Sequence, residues 1–143
     1  MILPTSNEAE NIVPLIERIY AAVPDVHEVI VVDDASPDGT AGIAQRLAAE
    51  HPRRRIRVER RPADPGLTKS ITHGASVATG DVLVWMDCDL SMPPEDIPRL
   101  LEGSSSRTDC CAPTERDAAA STARSSPRSP ERLATRAEDI VRV

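Results

Sequence analysis

Two stretches of the chain are apolar without a break, and each runs into carboxylates. Val29-Ile30-Val31-Val32 ends in Asp33-Asp34, and Val82-Leu83-Val84-Trp85-Met86 ends in Asp87 and Asp89. Apolar residues at successive positions cover both faces of a strand, which is the pattern of a parallel sheet clad by helices on both sides. Met1 to Thr5 reads as the end of a further strand. Arg55 to Arg61 alternates, with Ile56 and Val58 set against arginines, as an edge strand does. Helical spacing fills the intervals. Ile12, Leu15, Ile16, Ile19, Tyr20 and Val23 share one face of a helix predicted to open at Asn7-Glu8 and to end at Pro24-Asp25. Pro14 is either a first-turn residue of that helix or a kink in it. Ser36-Pro37-Asp38-Gly39-Thr40 is a turn and cap before a helix over Ala41 to Glu50, with Ile43 and Leu47 inward. Pro62 to Gly66 is loop. Leu67 to Thr79 is a helix with Ile71, Ala75 and Ala78 on one side, closed by Gly80, and Pro94 to Glu102 a short one carrying Ile97, Leu100 and Leu101. The order βαβαβαβα predicts an α/β layer sandwich with a mainly parallel sheet.

Composition limits the picture. The 143 residues allow one domain at most, and with 40% apolar residues but no Phe, one Trp and one Tyr, the core must be aliphatic. From Gly103 onward the chain turns to Ser, Pro, Ala and Arg with few large apolar residues, so a domain over 1–103 and a low-complexity, disordered tail over 104–143 are expected. Within the tail, Pro130 to Val143 has the composition for one weak helix. Such a chain reads as truncated or divergent at its C-terminal end. The net charge of -6 and the lack of a long basic stripe argue against nucleic acid as a partner. Arg53-Arg54-Arg55 with Arg57, Arg60 and Arg61 is either a solvated edge or a contact for anionic lipid head groups or phosphates. Cys88, Cys110 and Cys111 form no metal-ligand spacing, and their odd number without a signal peptide fits a reducing compartment. No run reaches the roughly 18 apolar residues of a membrane-spanning helix. The expected location is cytoplasmic, with peripheral attachment at the inner face of a membrane left open.

The chemistry should lie at the strand ends. Open α/β sheets bind ligands outside the carboxyl ends of their strands. Asp87 and Asp89, one residue apart, repel each other unless a cation lies between them, and a hard divalent ion such as Mg2+ or Mn2+ suits oxygen ligands. If the strands are neighbours, Asp33-Asp34 shares that rim, and Asp34 can accept hydrogen bonds from a ribose or a base N–H. Asp38 is read as a turn and capping residue. Lys69, the only lysine, is either a phosphate contact at a helix start or a solvated surface residue. His73 is read as a helix-surface histidine. Cys88, between two acids, has its thiolate disfavoured and is not read as a nucleophile.

Pro4-Thr5-Ser6-Asn7-Glu8-Ala9-Glu10-Asn11, Val31-Val32-Asp33-Asp34-Ala35-Ser36-Pro37-Asp38-Gly39-Thr40 and Gly80 through Pro94 together resemble family 2 glycosyltransferases, in particular the dolichol-phosphate (polyprenol-phosphate) mannosyltransferase-like enzymes. The resemblance covers about the first hundred residues. It implies a GT-A-like fold, a nucleotide-sugar donor (GDP-mannose or UDP-glucose), and a polyprenyl-phosphate acceptor at the membrane surface. It also implies site residues. Pro4, Ser6 and Glu8 would line the nucleotide pocket, and Val32 and Asp34 would contact base and ribose. Asp87, Cys88 and Asp89 would form the DxD element on metal and diphosphate, with Ser91 beside it. Ser6 stands where the family often has Tyr, and Cys88 where Ala is common. The family's later strands, which carry acceptor contacts, have no counterpart after Gly103, and no general base is identified.

Two alternatives accompany this reading. One is a donor-binding fragment without turnover. The other is a haloacid-dehalogenase-type phosphatase, because Val82 to Ser91 also resembles that family's strand and DxDx[T/V] opening. That motif usually lies on the first strand, and the alternative leaves the Pro4–Asn11 and Val31–Thr40 stretches unexplained. NAD(P) binding is disfavoured, since no GxGxxG follows a strand.

Overall fold

The computed structural model of the chain describes residues 1–62, 65–104 and 140–142. A five-stranded, wholly parallel sheet forms its centre: β1 (Ile2–Thr5), β2 (Val29–Asp33), β3 (Ile56–Arg60), β4 (Leu83–Trp85) and β5 (Ile140–Arg142), in the spatial order β3-β2-β1-β4-β5. Helices α1 (Ile12–Ala22), α2 (Thr40–Glu50) and α3 (Leu67–Val77) make the crossovers, and a 3-10 turn (Pro94–Asp96) leads into α4 (Ile97–Ser104). The α/β sandwich expected from the apolar runs is therefore present.

Strand alternation sorts the core into two layers. Leu3, Val29 and Val31 point to one face, where Ile12, Leu15, Ile16 and Ile19 of α1, Ala44 and Leu47 of α2, and Ile97 of α4 cover them. Ile2, Ile30, Val32 and Leu83 point to the other face, against Ala75, Val77 and Ala78. Both layers have branched aliphatics on their strands, but α3 covers the second with smaller residues, with Trp85 of β4 packed beside them. Gly74 explains why the second layer is thin. A Cβ there would lie 2.6 Å from Ile2 Cγ2 and 3.3 Å from Val32 Cγ2, so α3 rests almost directly on the strands.

Several boundaries differ from the sequence pattern. Helix α1 begins at Ile12 rather than Asn7, because the Glu8 carbonyl accepts from Asn11 N (3.1 Å) and Ile12 N (2.9 Å) in a turn ahead of it. Pro14 thus occupies the first turn, where no intrahelical donor is required. The fully buried residues of α3 are Ser70 and Gly74, whereas Ile71, Ala75 and Ala78 are only half-buried. Strand β4 is only three residues long, and Val82 is exposed. In α4 the inward residue is Ile97, Leu101 is half-buried and Leu100 is exposed. Ile140–Arg142, inside the stretch expected to be a weak helix, pairs with β4 as a strand, Leu83 facing Ile140. The rest of that stretch, most of the 104–143 tail, and Cys110 and Cys111 lie outside the described residues.

Strand β3 is an edge, as its alternation implied, and arginines in and beside it are engaged. Arg54 pairs with Glu17, Arg57 with Glu28 (3.6 Å) and Glu59 (3.1 Å), and Arg61 with Asp34 (3.0 Å). Much of the patch's charge is neutralised within the fold.

The topology singles out one place. From β1 the chain moves outward to β2 and β3, then returns past β1 to lay down β4 on its other side. The crossovers on the two sides of the β1–β4 boundary diverge, and a crevice opens at the strand ends there.

Candidate nucleotide-sugar site at the strand switch

Three loops meet at that crevice: Ser6 to Asn11 after β1, Asp34 to Gly39 after β2, and Met86 to Pro93 after β4. They enclose a cleft of about 300 Å3 lined by Pro4, Thr5, Ser6, Glu8, Asp34, Leu67, Asp87, Cys88 and Asp89. Asp34, just after β2, thus shares a cleft with Asp87 and Asp89, in the loop after β4. Each loop carries one non-glycine residue in the left-handed region: Asn7 (φ 62°), Ala35 (φ 57°) and Leu90 (φ 61°). Asn tolerates this conformation; for Ala and Leu it is strained, so the surrounding contacts must hold it.

The first two loops hold each other. Successive backbone N–H groups of the β1 loop donate to side chains of the β2 loop and of the first residue of α2: Asn7 N to Ser36 Oγ (3.0 Å), Glu8 N to Thr40 Oγ1 (3.0 Å) and Ala9 N to Asp38 Oδ2 (2.9 Å). Asp38 also accepts from Thr40 Oγ1 (2.6 Å) and Thr40 N (3.0 Å), the turn-and-cap role read from the sequence. The Thr40 hydroxyl, with the backbone donors, holds the Asp38 carboxyl below the usual carboxylate range. Asp33 turns away from the cleft and is fully buried. It accepts from Ser36 N (3.1 Å) and Thr5 Oγ1 (3.4 Å), so it shapes the loop rather than the ligand surface.

Asp34 is fastened from three directions. Its Oδ1 accepts from Arg61 Nη1 (3.0 Å) and Ser70 Oγ (2.7 Å), and its Oδ2 from Gly66 N (2.8 Å). Gly66 has φ 154°, open to glycine but not to ordinary side chains, which lets its N–H approach the carboxylate at the start of α3. Sequence reasoning missed Thr5, Arg61, Gly66, Leu67 and Ser70. Of these, Ser70 had a signal: it precedes Gly74 by four residues, so one helix face carries both.

Across the cleft, Asp87 is half-buried, Asp89 is exposed and Cys88 points into the core. Burial pushes the Cys88 thiol well above its ordinary range, and the carboxylates of Glu8, Asp87 and Asp89 add to this. Neither burial nor the neighbouring charges favour the thiolate that a nucleophile would need. Asp89 Oδ1 accepts from Ser91 N (2.9 Å), and the bonds from Ser91 hold its carboxyl below the ordinary range.

Of the residues expected at the site, Pro4, Ser6, Glu8, Asp34, Asp87, Cys88 and Asp89 come together. Three do not line the cleft. Val32 is wholly buried in the α3 layer, because its register on β2 faces it away from Asp33 and into the sheet. Ser91 is exposed and reaches the cleft only through Asp89. Lys69 is exposed on α3. His73 is 3.6 Å from Glu59 on the outer surface.

Among the described residues no group of three or more His, Cys, Asp or Glu is gathered as a metal site. Two cleft carboxylates nonetheless fit the way Mg2+ or Mn2+ is held beside phosphates, where one or two carboxylates suffice and phosphate and water oxygens complete the shell. Also among the described residues, no helix is long and apolar enough to cross a membrane.

A parallel sheet with an acidic cleft at its switch point is the architecture of nucleotide-binding α/β domains. The chain belongs to glycosyl transferase family 2, whose family model matches residues 1–139. The match includes the Pro4–Asn11 and Val31–Thr40 stretches that the phosphatase alternative leaves unexplained. Among its relatives are the dolichol-phosphate mannosyltransferase of Pyrococcus furiosus (43% identical, 76% of this chain, 30% of the relative) and the undecaprenyl-phosphate mannosyltransferase of Micrococcus luteus (45%, 71% and 42%). The polyprenol monophosphomannose synthase of Mycolicibacterium smegmatis is 42% identical over 71% of this chain and 39% of its own. The chain therefore spans 30–42% of the length of these relatives.

Solved structures agree on the fold, which is of the GT-A class. The mannosyltransferase PcManGT of Pyrobaculum calidifontis, in complex with GDP-Man and Mn2+, superposes with a TM-score of 0.57 at 31% identity, covering 66% of this chain and 28% of that one. The glucosyl-3-phosphoglycerate synthase of Mycobacterium tuberculosis, in complex with UDP, gives 0.60 at 28% identity, covering 75% and 39%.

Proposed function

We propose that this domain binds the nucleoside diphosphate of a nucleotide-sugar, GDP-mannose or UDP-glucose, and serves hexose transfer to a polyprenyl phosphate. One observation carries the reading: Asp34 from the loop after one strand and Asp87 and Asp89 from the loop after another converge on a single cleft with the β1 loop. Asp34 would accept from the nucleoside. Pro4, Thr5, Ser6 and Glu8 would form the wall along it, and Leu67 would supply an apolar edge. Asp87 and Asp89 would hold Mg2+ or Mn2+. The ion, when bound, neutralises charge developing on the departing diphosphate. An acceptor phosphate oxygen then forms the new bond to the anomeric carbon as the bond to the nucleoside diphosphate breaks, inverting that centre. Complexes of two GT-A neighbours with Mn2+ and with GDP-Man or UDP, and relatives named for polyprenyl-phosphate acceptors, support these assignments. An acceptor of that kind would bring the protein to a membrane surface as a peripheral partner.

The experiment is calorimetric titration of the chain with GDP, UDP and TDP, with and without Mn2+. Binding of at least one nucleotide, tightened by the metal, is expected; no binding of any by folded protein refutes the reading. A second reading is donor binding without turnover. Transfer of labelled hexose to a polyprenyl phosphate separates the two.

A further inference from the structure

We propose that Ser70 is the positioning residue for Asp34, fixing its carboxylate so that one acceptor position, on Oδ2, remains for the ligand. The inference rests on the nucleotide-binding reading of the cleft and adds to it a residue outside the cleft wall. Ser70 is 1% exposed and does not line the cleft, so it cannot itself meet a ligand there. Its hydroxyl has only one way to bond. Arg61 is donor-only and lies 2.7 Å from Ser70 Oγ, so the Ser70 oxygen accepts there. The carboxylate of Asp34 accepts, so the single hydroxyl proton goes to Oδ1 at 2.7 Å.

Arg61 Nη1 closes the triangle with its second proton, 3.0 Å from the same Oδ1. With two donors on it, Oδ1 is filled. Among the described residues, Oδ2 takes only Gly66 N, at 2.8 Å. A single lone pair is left, and a ligand that would grip both oxygens at once cannot be served. One turn of helix organises this arrangement. Gly66 gives its N–H to Asp34 and its carbonyl to Ser70 N (2.9 Å), so both donors from α3 arrive on one rigid unit. Rotating the carboxylate to free Oδ1 would break all three bonds together. Asp34 therefore takes one N–H or O–H from the nucleoside, in a direction set by α3.

A double-mutant cycle tests this on the full chain, by titrating wild type, Ser70→Ala, Asp34→Asn and the double variant with UDP and GDP in Mn2+. Hydrogen bonds to charged groups are strong enough that Ser70→Ala should weaken the bound nucleotide by roughly tenfold. In the Asp34→Asn background the same change should cause no further loss, because Ser70 acts only through that carboxylate. Ser70→Cys keeps a weak donor and should recover part of the affinity; if Ser70→Ala does not fold, Ser70→Cys takes its place in the cycle. Equal losses in both backgrounds, or no loss with wild-type Asp34, overturn the proposal. Absence of nucleotide binding by the folded wild type instead overturns the nucleotide reading itself.

Discussion

Replacing Gly74 and Gly42 by alanine, one at a time, should move stability in opposite directions. Both glycines lie in helices, where alanine is the better residue by about 0.5–1 kcal/mol when the space is free. At Gly42, in α2, a Cβ would meet nothing within 4 Å, so Gly42→Ala should stabilise by about that amount. At Gly74 the Cβ would lie 2.6 Å from Ile2 Cγ2, and 3.3 Å from Ile2 Cγ1 and Val32 Cγ2. Carbon atoms pack best at about 3.5–4.0 Å, so α3 and β1 would have to part by about 1 Å. Ile2 and Val32 are fully buried, and neither side chain has an exit. Overpacking of this kind costs about 1–3 kcal/mol, which outweighs the helix gain and leaves Gly74→Ala less stable by about 1–2 kcal/mol. Urea unfolding followed by circular dichroism at 222 nm reads both shifts, with an unchanged m-value showing that the unfolded surface is the same. If Gly74→Ala is as stable as Gly42→Ala, α3 does not rest on β1 as described. The Ser70–Asp34 geometry that depends on this seating would then fall with it.

Three further outcomes are expected. Asp87→Asn and Asp89→Asn should each remove most of the Mn2+ enhancement of nucleotide binding, measured by titration with and without metal; an undiminished enhancement would exclude these carboxylates as the cation's ligands. Ala35→Gly should stabilise by up to about 1 kcal/mol, because Ala35 is exposed at φ 57° and glycine removes the left-handed penalty, as thermal melts would show. Glu28 should make folding acid-sensitive. Burial raises its pKa, but the bonds from Thr79 Oγ1 (2.7 Å) and Thr79 N (2.6 Å), with the Arg57 charge, outweigh this and bring it below its ordinary 4.5. A folded-state pKa below the unfolded one gives stability that is present above about pH 4.5 and lost as pH falls through the folded value. Glu28→Gln should flatten that acid limb in unfolding curves taken between neutral pH and pH 3, and an unaltered limb would refute the assignment.

The strands were readable because β2 and β4 are apolar at successive positions and each ends in acid, which states both the parallel sheet and the location of the cleft. The start of α1 was misplaced since Asn7 and Glu8 look like a cap, whereas their N–H groups are taken by side chains some thirty residues away, a partnership local spacing cannot express. The face of α3 was misread for a related reason. Hydrophobicity favours Ile71, but close approach to Ile2 selects Gly74, and a polar residue can be buried at Ser70 because Asp34 and Arg61 satisfy it. Val32 shows the reverse limit. Motif position places it beside Asp34, yet strand alternation turns it into the core.

The stitching of Asn7, Glu8 and Ala9 to Ser36, Thr40 and Asp38 bears on how this scaffold can be re-engineered. Adding or deleting a single residue in either segment would slide every donor past its acceptor, so length is as constrained as chemistry. Transplanting a new specificity segment after β1 would therefore succeed only when the matching segment after β2 is exchanged along with it.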